Sequence, residues 1–207
     1  MPDDAPAARP SSLRKRAAVL TAGRALFLGE GYERTSVDAV AARAGISKRT
    51  VYDYFGDKDG LFDAVITDAA AEVVDAVRAA VEEELTNGRD LREALLAFAR
   101  RIASATISSS EHRQLRQLMR ADRRARRSLG GFEDQPEALL AERFEELAGQ
   151  GVLSATNTVR AAQHFVALTF MLALDVSSAA PAEDAEIDAL LVDGVDAFLR
   201  AYHRPYP

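Results

Sequence analysis

Residues Gly45–Lys58 read GISKRTVYDYFGDK. Glycine brackets a helix-sized piece: Gly45 stops what precedes it, Ser47 can cap a helix over Lys48–Phe55, and Gly56 closes it. Lys48, Arg49 and Thr50 fall in the first turn of that helix. Tyr52 and Tyr54 stand about 200° apart around it, so they cannot share one face. Upstream, Thr35-Ser36-Val37-Asp38 is a capping pattern for another short helix, with Val37, Val40 and Ala41 turned inward. Two short helices joined by Ala44-Gly45-Ile46-Ser47 make a helix-turn-helix pattern. Gly45 tolerates the positive φ of a tight turn, Ile46 can plug the space between the helices, and the second helix can lie in a major groove. Lys48, Arg49 and Thr50 then meet base edges. Tyr52, Tyr54, Lys58, Thr35 and Ser36 are suited to phosphates. On spacing alone two readings stand, a DNA-reading head or an ordinary all-α packing unit with solvated charges.

The whole chain limits the choice. Its 207 residues are 48% hydrophobic and 28% charged, with a formal net charge of −6 and no cysteine. Disulfides, thiolate zinc sites and thiol catalysis are excluded. An acidic chain binds nucleic acid only through a local patch. Residues 1–60 carry +2 and the remainder −8, so the slightly basic part is the one holding the motif. The start, MPDDAPAARPSSLRKR, lacks the apolar core of a signal peptide. Phe165–Val176, the longest apolar stretch, is shorter than the ~18 residues of a membrane span and is interrupted by Thr169 and Asp175. A cytoplasmic protein without a membrane segment is expected.

Helical spacing recurs outward from the motif, with abundant alanine and no β-type alternation. The expected fold is all-α with about nine helices. Residues 1–10 read as a mobile arm, 11–57 as a three-helix DNA-binding domain, and 58–207 as a helical ligand-binding and dimerisation domain. Asp57 caps the long fourth helix. Gly130-Gly131 ends the sixth, Pro136 begins the seventh, Thr156 or Asn157 caps the eighth, and Pro181 separates it from the ninth.

From Arg24 to Ile66 the chain reads RALFLGEGYERTSVDAVAARAGISKRTVYDYFGDKDGLFDAVI. A-x-x-L-F, G-Y-x-x-T-S, A-x-x-A-G-I-S, T-V-Y-x-Y-F and K-x-x-L-F together resemble the N-terminal domain of the TetR family of transcriptional repressors. The motifs cover about a quarter of the chain. The resemblance implies base contacts from Lys48, Arg49 and Thr50, phosphate contacts from Thr35, Ser36, Tyr52, Tyr54 and Lys58, and a further DNA contact from Arg43. Tyr54 stands where many members carry His, and Gly56 where relatives often carry Lys. The family also implies a double-stranded DNA operator, a homodimer, and a small-molecule inducer held in the C-terminal half.

That half offers an apolar lining rather than a chemical site. Phe98, Ile102, Met119, Phe144 and Phe165 are the candidate pocket residues, with His112, Asp122 and His164 as polar anchors. Asp122 falls on the apolar side of helix six, where pairing with Arg126 is the plainer explanation. Arg113, Arg116, Arg120, Arg123, Arg124 and Arg127 read as a solvated stripe. The last two helices are apolar nearly all round, which assigns Phe170, Leu172, Leu191 and Phe198 to a dimer interface. The three histidines have neither metal nor triad spacing, and no phosphate loop follows a strand. No enzyme, metal or cofactor is expected. The alternatives to a ligand-responsive regulator are a constitutive DNA binder and an all-α enzyme.

Overall fold

The computed structural model describes residues 10–130, 134–179 and 183–203, without the side chains of Pro10, Ala121, Arg126, Ser178 and Ala179. Residues 1–9 of the expected arm, Gly131, Pro181 and the side chain of Arg126 lie outside that description. Two compact units form, Met1–Ala70 with Gln114–Gly130, and Ala71–Arg113 with Gly131–Pro207. The sequence boundary at Asp57 marks a helix start, whereas the first unit takes in the following turns and a distant segment as well.

The first unit contains α1 (Pro10–Glu30), α2 (Val37–Ala44), α3 (Lys48–Phe55) and the first part of α4 (Lys58–Glu84). From downstream come most of α6 (Ser110–Ala121) and all of α7 (Arg123–Ser128). Sequence spacing reads α6 and α7 as one helix. They break at Asp122, whose Oδ1 accepts from Arg124 N–H at 2.8 Å and so caps α7. Phe27, Val40, Val51, Leu61, Phe62, Val65 and Ile66 fill this unit's core, joined by Leu115 and Ala125. Phe27 and Tyr32 each pack against Phe62 at 5.0 Å between ring centres, edge to face. Arg24 ties α1 to α4 through Asp68 at 3.0 Å. The arginine stripe is not a single solvated face: Arg113 Nε and an Arg116 terminal nitrogen are shielded from water.

The second unit contains the remainder of α4, α5 (Leu91–Thr106), α8 (Gln135–Gly149), α9 (Thr158–Val166), a π-helical turn (Ala167–Met171), α10 (Leu172–Ala179) and α11 (Asp184–Tyr202). Side-chain caps at Asp90 and Asn157 start α5 and α9, accepting from Glu93 N–H and Arg160 N–H. Its centre is aromatic. Phe165 lies 6.0 Å from Phe98, 5.9 Å from Phe144 and 5.2 Å from Phe198. α11 approaches the π-helical turn so closely that a Cβ on Gly194 would stand 2.2 Å from Leu168 O. Two forked ion pairs bind α5 to α11, Arg92 to Asp196 and Arg100 to Asp188, each with Nε at 2.6 Å from a carboxylate oxygen. Thr158–Ser177 is long and apolar enough to cross a membrane by length and composition. Its Ala161, Ala162, Phe165, Phe170 and Ala173 are buried in this unit's core, whereas Val159, Met171 and Leu172 are exposed. Among the described residues the one β-type pairing is an isolated bridge between Leu153 and His203.

Candidate nucleic-acid interface

α2 begins at Ser36, whose hydroxyl accepts from Ala39 N–H at 3.1 Å. It ends at Gly45 in the left-handed region, φ 67° and ψ 30°. Gly45 N–H and Ile46 N–H reach back to Ala42 O and Ala41 O at 3.2 and 3.1 Å. Those bonds satisfy the last carbonyls of α2 and turn the chain steeply, a geometry that only glycine adopts without strain. Ser47 then caps α3, accepting from Thr50 N–H at 3.2 Å. Val51, 1% exposed, plugs α3 into the core, and Tyr52 on the other side is 42% exposed. Lys48 and Arg49 are exposed in the first turn.

The expected DNA-facing residues divide. Lys48, Arg49 and Tyr52 are exposed on α3, Thr50 and Tyr54 half-buried, and Arg43 exposed at the end of α2. Thr50 Oγ1 shares a hydrogen bond with Ser47 Oγ at 2.8 Å. Lys48 Nζ donates to Asp38 Oδ2 at 2.9 Å and lies 5.9 Å from the Tyr52 ring centre. The Asp38 hydrogen bond, with its charge, raises the Lys48 pKa above the ordinary lysine value. Thr35 is the correction. It is 2% exposed and its hydroxyl donates to Gly31 O at 2.9 Å, so its side chain locks the α1–α2 turn and has no path to a phosphate.

α4 opens with Asp57 accepting from Gly60 N–H at 2.7 Å. Lys58 Nζ reaches Glu33 O at 3.4 Å and sits 4.2 Å from the Tyr32 ring centre. Tyr32 itself was not among the expected site residues. Its hydroxyl donates to Asp59 Oδ1 at 2.5 Å, and burial together with that acid pushes the phenol up to about 12.

The expected ligand residues also divide. Phe98, Ile102, Phe144 and Phe165 converge in the aromatic core of the second unit. Met119 packs against the core of the first unit, and Asp122 is the α7 cap, so neither belongs with that cluster. His112 is half-buried with Nδ1 3.3 Å from Ser109 Oγ, and His164 is exposed with Nδ1 2.6 Å from Tyr202 Oη. A separate cleft of about 400 Å³ has a mixed lining, with Arg78, Glu82, Glu142 and Arg143 beside Val81, Leu85 and Leu139. Three expected interface residues are corrected too. Phe198, Leu191 and Phe170 are 0, 1 and 8% exposed, closed within the chain's own core, whereas Leu172 is 55% exposed.

Residues 19–65 match the profile of the bacterial regulatory proteins of the tetR family, and residues 93–204 that of the AefR-like transcriptional repressor C-terminal domain. The chain belongs to the TetR family. It is a DNA-binding transcriptional regulator, not an enzyme. Over 84 residues it is 34% identical to the transcriptional activator FasR of Mycolicibacterium smegmatis, and over 87 residues 31% identical to the regulator YhgD of Bacillus subtilis. These alignments cover 41 and 42% of this chain and span only 38 and 46% of those relatives' length. A solved structure described as a TetR-family regulator from Mesorhizobium loti is 26% identical, with a TM-score of 0.87 over 95% of this chain and all of that one. The flavonoid-responsive regulator FrrA is also 26% identical, with a TM-score of 0.68 over 93% of this chain and 99% of its own. Both TetR-family halves are therefore present in one chain, and the Gly45 turn and α3 fall within the N-terminal match.

Proposed function

We propose that this regulator is a homodimeric repressor that holds a palindromic operator with two α3 helices and releases it when a small apolar molecule enters the second unit. The observation that carries the reading is the exposure of Lys48, Arg49 and Tyr52 on a helix seated by buried Val51. Lys48, Arg49 and Thr50 read bases; Ser36, Tyr52, Tyr54 and Lys58 meet phosphates, with Arg43 beside them. One such helix reads too few base pairs to select a site in a genome, so two copies are needed, about 34 Å or a multiple apart along the DNA. The second copy covers the exposed side of α9, the π-helical turn and α10, where Val159, Met171 and Leu172 respectively are each more than half exposed. Such a regulator works in the cytoplasm, where the DNA is.

Repression follows the description of the matched C-terminal profile. Response to an apolar ligand is supported by the flavonoid response in FrrA's name; Phe98, Phe144, Phe165 and Ile102 are packed core, so a ligand among them has to part those side chains. His112 and His164 are the polar groups left to orient such a ligand. FasR's name favours a second reading, activation from the same DNA-binding head. Selection from a random duplex library by the full-length protein should return an inverted repeat. Addition of flavonoids and other apolar aromatics should release it. A selected site without two-fold symmetry contradicts the dimeric reading. An operator complex indifferent to every ligand leaves a constitutive binder.

A further inference from the structure

Lys58 and Arg124 lie over the same ring. Lys58 Nζ is 4.2 Å and Arg124 Cζ 4.0 Å from the centre of Tyr32. Lys58 begins α4, whereas Arg124 belongs to α7, which lies within the matched C-terminal profile rather than the N-terminal one. Yet α7 is part of the DNA-binding unit. Ala125 is fully buried in that unit's core, and Ser128 Oγ donates to Asp63 Oδ1 at 2.5 Å. Arg124 also stands 3.9 Å from Glu33 and 3.8 Å from Asp59, the acid that anchors the Tyr32 hydroxyl.

The charges explain the arrangement. Glu33 and Asp59 flank the ring that supports Lys58. Unopposed, two carboxylates would draw the Lys58 ammonium onto themselves and repel a DNA phosphate. Arg124 lies within 4 Å of both acids and over the face of the ring, and its guanidinium is suited to both stacking and carboxylate contact. We propose that Arg124 is a positioning residue for DNA: it fixes Tyr32 and offsets Glu33 and Asp59, so that Lys58 is presented to a phosphate. The inference rests on the reading of Lys58 as a phosphate contact.

A double-mutant cycle on the full-length protein tests it, with a mixed-sequence duplex of about three helical turns as probe. Affinity is followed from roughly 50 to 200 mM salt. Lys58→Ala should lower the salt slope by about 0.9. Arg124→Gln should weaken binding about two- to fivefold, the scale of one exposed cation–π contact. It should cost nothing further in the Lys58→Ala background, and Arg124→Lys, which keeps the charge but not the planar stack, should restore only part of the loss. Tyr32→Phe, which loses only the anchor to Asp59, should show the same dependence on Lys58 and serves if Arg124→Gln folds poorly by circular dichroism. Equal losses with and without Lys58 overturn the proposal: a further slope decrease of about 0.9 makes Arg124 itself a phosphate contact, and an unchanged slope leaves it a stability element. A salt slope unaffected by Lys58→Ala overturns the phosphate role of Lys58 instead, and the positioning role with it.

Discussion

Lys48 Nζ donates to Asp38 Oδ2 at 2.9 Å, so the first cation of α3 is paired with an acid of α2. Both side chains are at least half exposed, and such a pair in water adds little to stability. The proposed contact of Lys48 with DNA requires Lys48 to leave Asp38. Asp38→Asn should therefore tighten binding to a duplex by up to about fivefold, with a small loss of stability from removing an acid near the α2 N-terminus. Titrations of the two proteins against one duplex check this; unchanged or weaker binding by the variant would place Lys48 away from DNA.

Two glycines hold backbones together. A Cβ on Gly60 would lie 2.1 Å from Phe55 O, and one on Gly194 2.2 Å from Leu168 O. Each atom is backbone and has little room to yield. Gly60→Ala and Gly194→Ala should each cost ~1–3 kcal/mol, as overpacking does. Gly29→Ala, which meets nothing within 4 Å, is the control and should be neutral or mildly stabilising. Urea midpoints for the three variants check the contrast.

Acid should loosen α11 from α5. Hydrogen bonds from Arg100 and Arg92 hold the Asp188 and Asp196 carboxyls below the usual carboxylate value. A carboxyl whose folded pKa is depressed adds stability above its unfolded pKa, about 3.9, and loses it as pH falls through the lower folded value. The wild type should lose stability across that acid window. Replacing Arg92 and Arg100 by Gln should flatten this limb of the pH profile, as measured by chemical unfolding from neutral pH downward.

Exposure separates assembly from folding. Leu172→Glu should leave the monomer's helicity and melting intact while light scattering shows loss of the dimer, with weaker operator binding. Phe198→Ala empties a fully buried position among Phe144, Phe165 and Tyr202 and should cost ~3–5 kcal/mol. An intact dimer for Leu172→Glu would move the interface off α10.

The helix-turn-helix was legible because its signals are local. Gly45, Ser47 and Asp57 do in the structure what their positions announce, and the alternation of Val51 with Tyr52 divides core from surface. Composition and spacing also sufficed for an all-helical chain. Four misreadings have one cause, that periodicity marks an apolar face without saying what covers it. Phe170, Leu191 and Phe198 are covered by their own chain, and Met119 by the first unit. Asp122 looked like an acid on an apolar face, but a one-residue break turns it into a cap, which no periodicity registers. Tyr32 and Arg124 were missed as a pair because they are far apart in sequence, and only the fold brings them together.

The central claim is that α3 reads base sequence, and Arg49 tests it most directly because it is exposed in the first turn of that helix. Affinities of wild type and Arg49→Ala should be measured against every single-base variant of one selected operator half-site. Arg49→Ala should erase discrimination at one or two adjacent positions, by ~1–3 kcal/mol, and leave the other positions as they were. A uniform loss at all positions, or no change in preference at any, would contradict it.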